Sequence, residues 1–393
     1  MRILHVIATL NPASGGPAAS VRSLIEFSPA GYSNEVVTLD PPGAPFLNGL
    51  SFPVHALGPT ATKYGLNRRL LPWLRQNRSR FNGVIVNGLW QYCGLAASRA
   101  LAGNTPYIVF AHGMLDPYFK RRFPFKHLKK SIYWYVAEYW NLCSASRVLF
   151  TTARESELAR QSFRLNRWSA QVVPFGASRP ETTPEFGKQA FYASFPKLQG
   201  RRFILFLGRI NRKKGCDLLI EAFIQAAALD PDLHLAIAGP DEQHWRASLQ
   251  RRIARAGLDA RVHWTGPIYG DQKWGAYQAC EAFILPSHQE NFGIAVAEAM
   301  ACGKPALLSN QVNIAPEISH AGAALMEPDT VQGTLQLFAR WIQLSPQERQ
   351  QMGSLARNTF ETRYDMRTNA AAIMDLFRTS DAEPRPIQAL DHA

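Results

Sequence analysis

Short, wholly apolar runs alternate along this chain with longer stretches whose apolar residues recur every three or four positions. The first run, MRILHVIATL, reads as a buried strand, and NPASGGPAASVRSLIEF after it reads as a Gly-rich turn opening a helix with Val21, Leu24 and Ile25 on one face. Further strands are expected at Glu35–Leu39, Gly83–Asn87, Pro106–Ala111, Arg147–Thr151 and Ala170–Pro174. A polar, proline-bearing stretch from Phe175 to Gly187 interrupts the alternation and marks an interdomain linker. A second series follows at Phe203–Leu207, Leu233–Ala238, Arg261–Trp264, Ala282–Leu285 and Pro305–Ser309, and then a long helix near Gln347–Phe377. Strands separated by helices imply α/β architecture with parallel sheets. The division predicted is 1–178 and 179–360 as two domains, 361–380 as a C-terminal helix, and 381–393 as a flexible tail.

Candidate chemistry concentrates in LPSHQENFGIAVAEAMACGKP. Ser287, His288 and Gln289 end a buried strand, a small-residue helix follows near Gly293–Cys302, and Gly303 with Pro305 stops it. The backbone N–H groups of Phe292, Gly293 and Ile294 then face the crevice at the strand's carboxyl end, where a diphosphate is favoured. Glu290 precedes this helix and Glu298 lies roughly 7 Å along it, at about 1.5 Å per residue. Carboxylates accept paired hydrogen bonds from vicinal diols, so the two suit a ribose and a hydroxyl-rich sugar. The plainer reading makes Glu290 a cap and Glu298 a solvated or salt-bridged helix residue. Upstream, FILFLGRINRKKGCDLLIEAF places Gly208, Arg209 and Lys214 between a strand and a helix, where a guanidinium and an ammonium can neutralise a leaving diphosphate.

PSHQENFGIAVAEAMACGKP, with its two glutamates, resembles the donor-binding signature of family-4 retaining glycosyltransferases, glycosyl transferases group 1, of bacterial polysaccharide-biosynthesis type. Gly208-Arg209 and Lys214-Gly215 are similar to the family's phosphate-binding segment, and HLAIAGPDE and RVHWTGPI follow in the same order. The resemblance covers nearly the whole chain and is strongest from Phe203 to Pro305. It implies the GT-B fold, two Rossmann-like doubly wound domains facing across a cleft, with the first binding acceptor, the second binding a nucleotide-diphosphate sugar, and the last helix crossing back. It further implies that Glu290, Asn291, Phe292, Gly293, Ile294 and Glu298 bind donor, that Arg209 and Lys214 stabilise the departing phosphates, and that His112 in AHGMLDPY helps position the donor sugar.

By the same resemblance Gly15 and Gly16 approach phosphate or acceptor, and Asn87 and Trp90 line the acceptor side. The linker's VPFGA departs from relatives with Asn before the Gly, and Asn87 stands where many carry His. No cofactor and no metal are implied; Asp230-Pro231-Asp232 matches an Asp-x-Asp pattern but reads as a proline turn. The expected reaction moves a sugar onto an acceptor hydroxyl with retention, in synthesis of exopolysaccharide, capsule or lipopolysaccharide. A nucleotide-sugar epimerase of the same fold, and a non-catalytic basic protein on membrane or nucleic acid, are the alternatives.

Charge adds one further element. The 393 residues carry a formal +13, with a basic, aromatic segment from Asp116 to Trp140 that includes Lys120, Arg121, Arg122, Lys126, Lys129 and Lys130. That segment suits an anionic membrane or the diphosphate of a lipid-linked acceptor, or else is an amphipathic helix with its aromatics in the core. Nucleic acid is not expected, since no recognition module is present. Five scattered cysteines, no signal-peptide pattern and no transmembrane-length run point to a cytoplasmic chain, peripheral at most on the inner face of the membrane.

Overall fold

In the first unit, β1 (Arg2–Ile7), β2 (Ser33–Thr38), β3 (Val54–Ala56), β4 (Gly83–Asn87), β5 (Tyr107–Phe110), β6 (Arg147–Phe150) and β7 (Ala170–Val172) form one sheet in the order β3-β2-β1-β4-β5-β6-β7. Every pairing is parallel. β4 is buried along its whole length, as a central strand covered by helices on both faces must be. This computed structural model describes residues 1–118, 120, 124–241 and 244–378, so the tail predicted at 381–393 lies outside the described residues.

The second unit is a six-stranded parallel sheet ordered β10-β9-β8-β11-β12-β13. Its strands are β8 (Arg202–Leu207), β9 (Leu233–Ala238), β10 (Val262–Gly266), β11 (Ala282–Leu285), β12 (Ala306–Ser309) and β13 (Ala324–Glu327). The Cys216–Ala226 helix buries Leu219 and Phe223, and the Phe223 ring meets Phe338 of the Val331–Gln343 helix at 5.7 Å. Contacts divide the chain at Phe175/Gly176 and again at Asp365/Met366, so the final helix, Met366–Asp375, belongs to the first unit. There Asn369 donates to the Phe175 carbonyl at 3.1 Å and Tyr32 donates to Asp375 at 2.7 Å.

Two edge strands, β3 and β13, have no counterpart among the strands expected from sequence. The long helix expected over Gln347–Phe377 is also corrected. A Pro346–Thr359 helix, with a full capping box between Ser345 and Glu348, runs into a π turn at Phe360–Tyr364 and ends at Asp365, which is extended. The break has no local glycine or proline behind it. Ala177 donates its N–H to the Tyr364 carbonyl at 2.9 Å, and Arg179 holds the Asp365 carboxylate at 2.5 and 2.9 Å. Tertiary pairing therefore overrides helix propensity here.

A second π turn, Trp134–Glu138, joins the Pro124–Tyr133 and Tyr139–Ser144 helices of the first unit. It aims the wholly buried Glu138 at the N–H of Trp90, 3.2 Å away. Burial raises the Glu138 carboxyl to about 8, against the opposing pull of that N–H and of Lys130.

Two outcomes are expected. Gly239 has φ +138 and its missing Cβ would meet the Gly208 carbonyl at 1.9 Å, so Gly239→Ala should cost about 2 kcal/mol or more in urea unfolding. Glu138 binds its proton more tightly folded than unfolded, so its contribution to stability is full below the ordinary glutamate range and is lost as pH rises towards about 8. Glu138→Gln should flatten that decline, which is worth about 1.4 kcal/mol per pH unit, in melts run from pH 5 to about 8.

Candidate donor site

Strand order locates the site in the second unit. β8 has β9 on one side and β11 on the other, so the connections after β8 and β11 leave in opposite directions and open a crevice at their carboxyl ends. The segment Gly208–Gly215 follows β8 and the segment Pro286–Gly293 follows β11. Both sequence motifs thus occupy the loops that flank the switch point.

The two loops are joined to each other. His288 donates its N–H to the Lys213 carbonyl at 2.9 Å. Gly215, at φ +69, opens the Cys216–Ala226 helix so close to β11's end that a Cβ would meet the Pro286 carbonyl at 2.0 Å. Asn211 accepts the Lys214 N–H at 3.1 Å and fixes the turn. Glu290 is held from the other side, accepting from the Asn313 N–H and donating to the Gln311 carbonyl, both at 3.1 Å. The result is an ion pair between the Lys214 ammonium and the Glu290 carboxylate. Burial tends to raise the Glu290 carboxyl, but Lys214 and Lys213 outweigh it and hold it below the usual carboxylate range.

Gly293 caps the Ile294–Ala301 helix and its carbonyl accepts the Val296 and Ala297 N–H groups at 2.8 and 3.3 Å, so the amides that come before any helical carbonyl can reach them are those of Ile294 and Ala295. The Phe292 ring is buried edge-on against Tyr364 at 5.6 Å, so its side chain packs while its backbone turns. Glu298 is a salt-bridged helix residue and not a solvated one, as one arm of the plainer reading has it. It is buried, with Lys273 at 2.6 Å on one oxygen and Tyr277 donating at 2.9 Å to the other. A buried carboxylate requires such partners, and its remaining lone pairs can still accept from a diol. Arg209 is exposed beside this loop, which presents a second cation at the crevice. A cavity of about 1110 Å³ lies elsewhere, around the strands' amino ends. Its charges are already matched, Glu281 accepting from both Arg202 and Arg349.

The first unit has its own switch point at β1, between β2 and β4. Gly15, at φ +92, ends the loop after β1 and Gly16 opens the Gly16–Glu26 helix; both are exposed, with nothing within 4 Å of either missing Cβ. Asn87 ends β4 buried, and its Oδ1 meets His112 Nε2 at 3.3 Å. An acceptor oxygen there calls for the proton on Nε2, leaving Nδ1 with a lone pair. Burial pushes the His112 imidazole down to about 3, so it is neutral near pH 7. Its φ of +49 and its stacking on Phe110 at 4.3 Å set the ring's direction.

Trp90, at φ +70, is engaged in packing: its indole N–H donates to the Met114 carbonyl at 3.1 Å and Lys130 lies over its ring at 4.4 Å. Lys120 and Lys129 are exposed; Arg121, Arg122 and the Lys126 side chain lie outside the described residues. Among the described residues no group of side chains could hold a metal ion and no helix is long and apolar enough to cross a membrane.

Three further residues escaped the sequence reading. Lys273 and Tyr277, four apart on the Gly270–Ala279 helix, carry no motif and are legible only as the partners a buried Glu298 demands. Glu155 accepts from the Gly113 N–H at 2.8 Å and from both the N–H and hydroxyl of Thr151 at 2.7 Å, bracing the turn after His112. Its signal was the Thr152-x-x-Glu155 cap pattern.

Residues 188–359 match the glycosyl transferases group 1 family and residues 15–176 match the glycosyl transferase 4-like domain. Mannosylfructose-phosphate synthase of Agrobacterium fabrum is 30% identical over 46% of this chain and 41% of its own length. The chain thus matches less than half of that relative. D-rhamnosyltransferase WbpZ of Pseudomonas aeruginosa is 27% identical over 93% of this chain and 91% of its own. HepE of Anabaena, crystallised with UDP and glucose, superposes with a TM-score of 0.75 at 20% identity, covering 96% of this chain and 100% of that one. With both halves matched and the two parallel sheets shared, the chain belongs to the group 1 glycosyltransferases of the GT-B fold.

Proposed function

We propose that this protein transfers a sugar from a nucleotide-diphosphate donor to an acceptor hydroxyl with retention at the anomeric carbon. The observation that carries the reading is the Lys214–Glu290 pair, fixed at the β8/β11 switch point beside a helix amino terminus. A diphosphate entering there meets the Lys214 ammonium, the Arg209 guanidinium and first-turn amides, which together stabilise the negative charge that develops as the nucleotide leaves. Glu290, relieved of part of its pairing with Lys214, is an ionised acceptor for sugar hydroxyls. Glu298, held by Lys273 and Tyr277, is placed to accept from a ribose diol.

His112 supplies a neutral imidazole with an unprotonated Nδ1, able to accept from a sugar hydroxyl without adding a cation near an oxocarbenium-like centre. The departing phosphate takes the acceptor's proton in a same-face displacement, so no protein nucleophile is required. The basic, aromatic first unit supports a lipid-linked or polysaccharide acceptor of exopolysaccharide, capsule or lipopolysaccharide synthesis. The resemblance along most of the chain to WbpZ, a D-rhamnosyltransferase, supports sugar transfer as the reaction.

Isothermal titration with a panel of nucleotide diphosphates and their sugars tests the donor site. One nucleotide sugar should bind preferentially, and Glu298→Ala should weaken it about 10-fold or more. Lys214→Ala should lower turnover about 100- to 1000-fold. Turnover that is unchanged in Lys214→Ala, or conversion of the donor sugar with no acceptor present, would overturn the transferase reading.

A further inference from the structure

Ten large apolar side chains are exposed among the described residues, and five of them fall within the twelve positions from 125 to 136. Phe125 is 89% exposed, Leu128 64%, Ile132 65%, Tyr135 49% and Val136 66%. Their spacing along the Pro124–Tyr133 helix and into the π turn sets them in one stripe. The opposite side of the same element is core: Trp134 is wholly buried, its ring stacked on Phe163 at 4.3 Å. The helix is therefore already anchored in the domain by one apolar face and presents a second to the outside. An amphipathic surface helix has one apolar face; two require a partner for the other.

Charge identifies that partner. Between residues 41 and 137 the sequence carries thirteen Lys and Arg and a single acid, Asp116, so this stretch accounts for almost all of the formal +13. Lys129 is exposed on the stripe's flank. The loop preceding residue 70 is tied to the same helix by a Tyr64–Tyr133 hydroxyl bond of 2.9 Å, and it exposes Leu66, 59% accessible, between Lys63, Arg68 and Arg69. An apolar stripe bordered by cations fits an anionic lipid surface, with the side chains in the acyl boundary and the cations at headgroup phosphates. A nucleic acid would satisfy the cations and leave Leu128, Ile132 and Val136 in water.

We propose that this stripe, with the Lys63–Arg69 loop beside it, inserts into the interface of an anionic bilayer. The inference rests on surface chemistry of the first unit and stands whatever donor the second unit binds.

Sedimentation of the full chain with phosphatidylcholine vesicles, with and without phosphatidylglycerol at about 3:1, tests it. The protein should partition onto the anionic vesicles, and adding salt should weaken but not abolish the association. The double substitution Leu128→Glu with Ile132→Glu should lower the partition coefficient about 10-fold or more while leaving the thermal melt and nucleotide binding unchanged, as expected of exposed positions. Arg68→Gln with Arg69→Gln should lower it less and reduce its salt dependence. No partition onto anionic vesicles, or equal partition of the Leu128/Ile132 variant, would overturn the proposal. So would a wild-type dimer in solution that the same variant renders monomeric, since a second copy would then cover the stripe.

Discussion

The candidate donor site depends on the join between two loops that are some eighty residues apart in sequence. One backbone hydrogen bond, His288 to Lys213, and one contact tolerable only without a side chain, Gly215 against Pro286, bring the ends of β8 and β11 together. Lys214 and Glu290 are neighbours because the backbones beneath them are. Their mutual attraction follows from that placement and does not create it. Charge is thus stored on a scaffold positioned by peptide groups, which do not titrate or change rotamer when a ligand arrives.

The two glutamates of the motif solve different problems. Glu290 sits on a loop clamped by Gln311 and Asn313, paired with a cation that an incoming diphosphate would also attract. Glu298 lies inside a helix and keeps its charge because Lys273 and Tyr277 replace the water it has lost. One carboxylate is thus poised for exchange of partners, while the other is a fixed acceptor. Two residues of one type, eight positions apart, acquire distinct electrostatic characters from the elements on which they stand.

The parallel α/β plan was readable because buried central strands such as Gly83–Asn87 and Ala282–Leu285 are continuous apolar runs between turn residues. The edges were not readable: VHA and ALME are too short and too mixed to differ from loop. The break at Asp365 was hidden because its cause, Ala177 and Arg179, lies far away in sequence. In the site, residues in motifs could be found, and so could the cap pattern around Glu155. Lys273 and Tyr277 could not, since a lysine and a tyrosine four apart on a helix are ordinary until a buried carboxylate is placed opposite them. The basic segment divided in a way that composition cannot express, since Trp134 and Tyr139 went to the core and Phe125 and Tyr135 to the outside.

The Met366–Asp375 helix gives the first unit a discontinuous chain. Its Asn369 and Asp375 bond to Phe175 and Tyr32, and its neighbour Phe377 fills the space that Gly83 leaves empty. On the ribosome, the sheet of residues 1–175 emerges early yet waits for those contacts until nearly two hundred further residues have been translated. The contiguous second unit has all its own strands before then. Maturation therefore runs against the order of synthesis, with the unit translated first completed last.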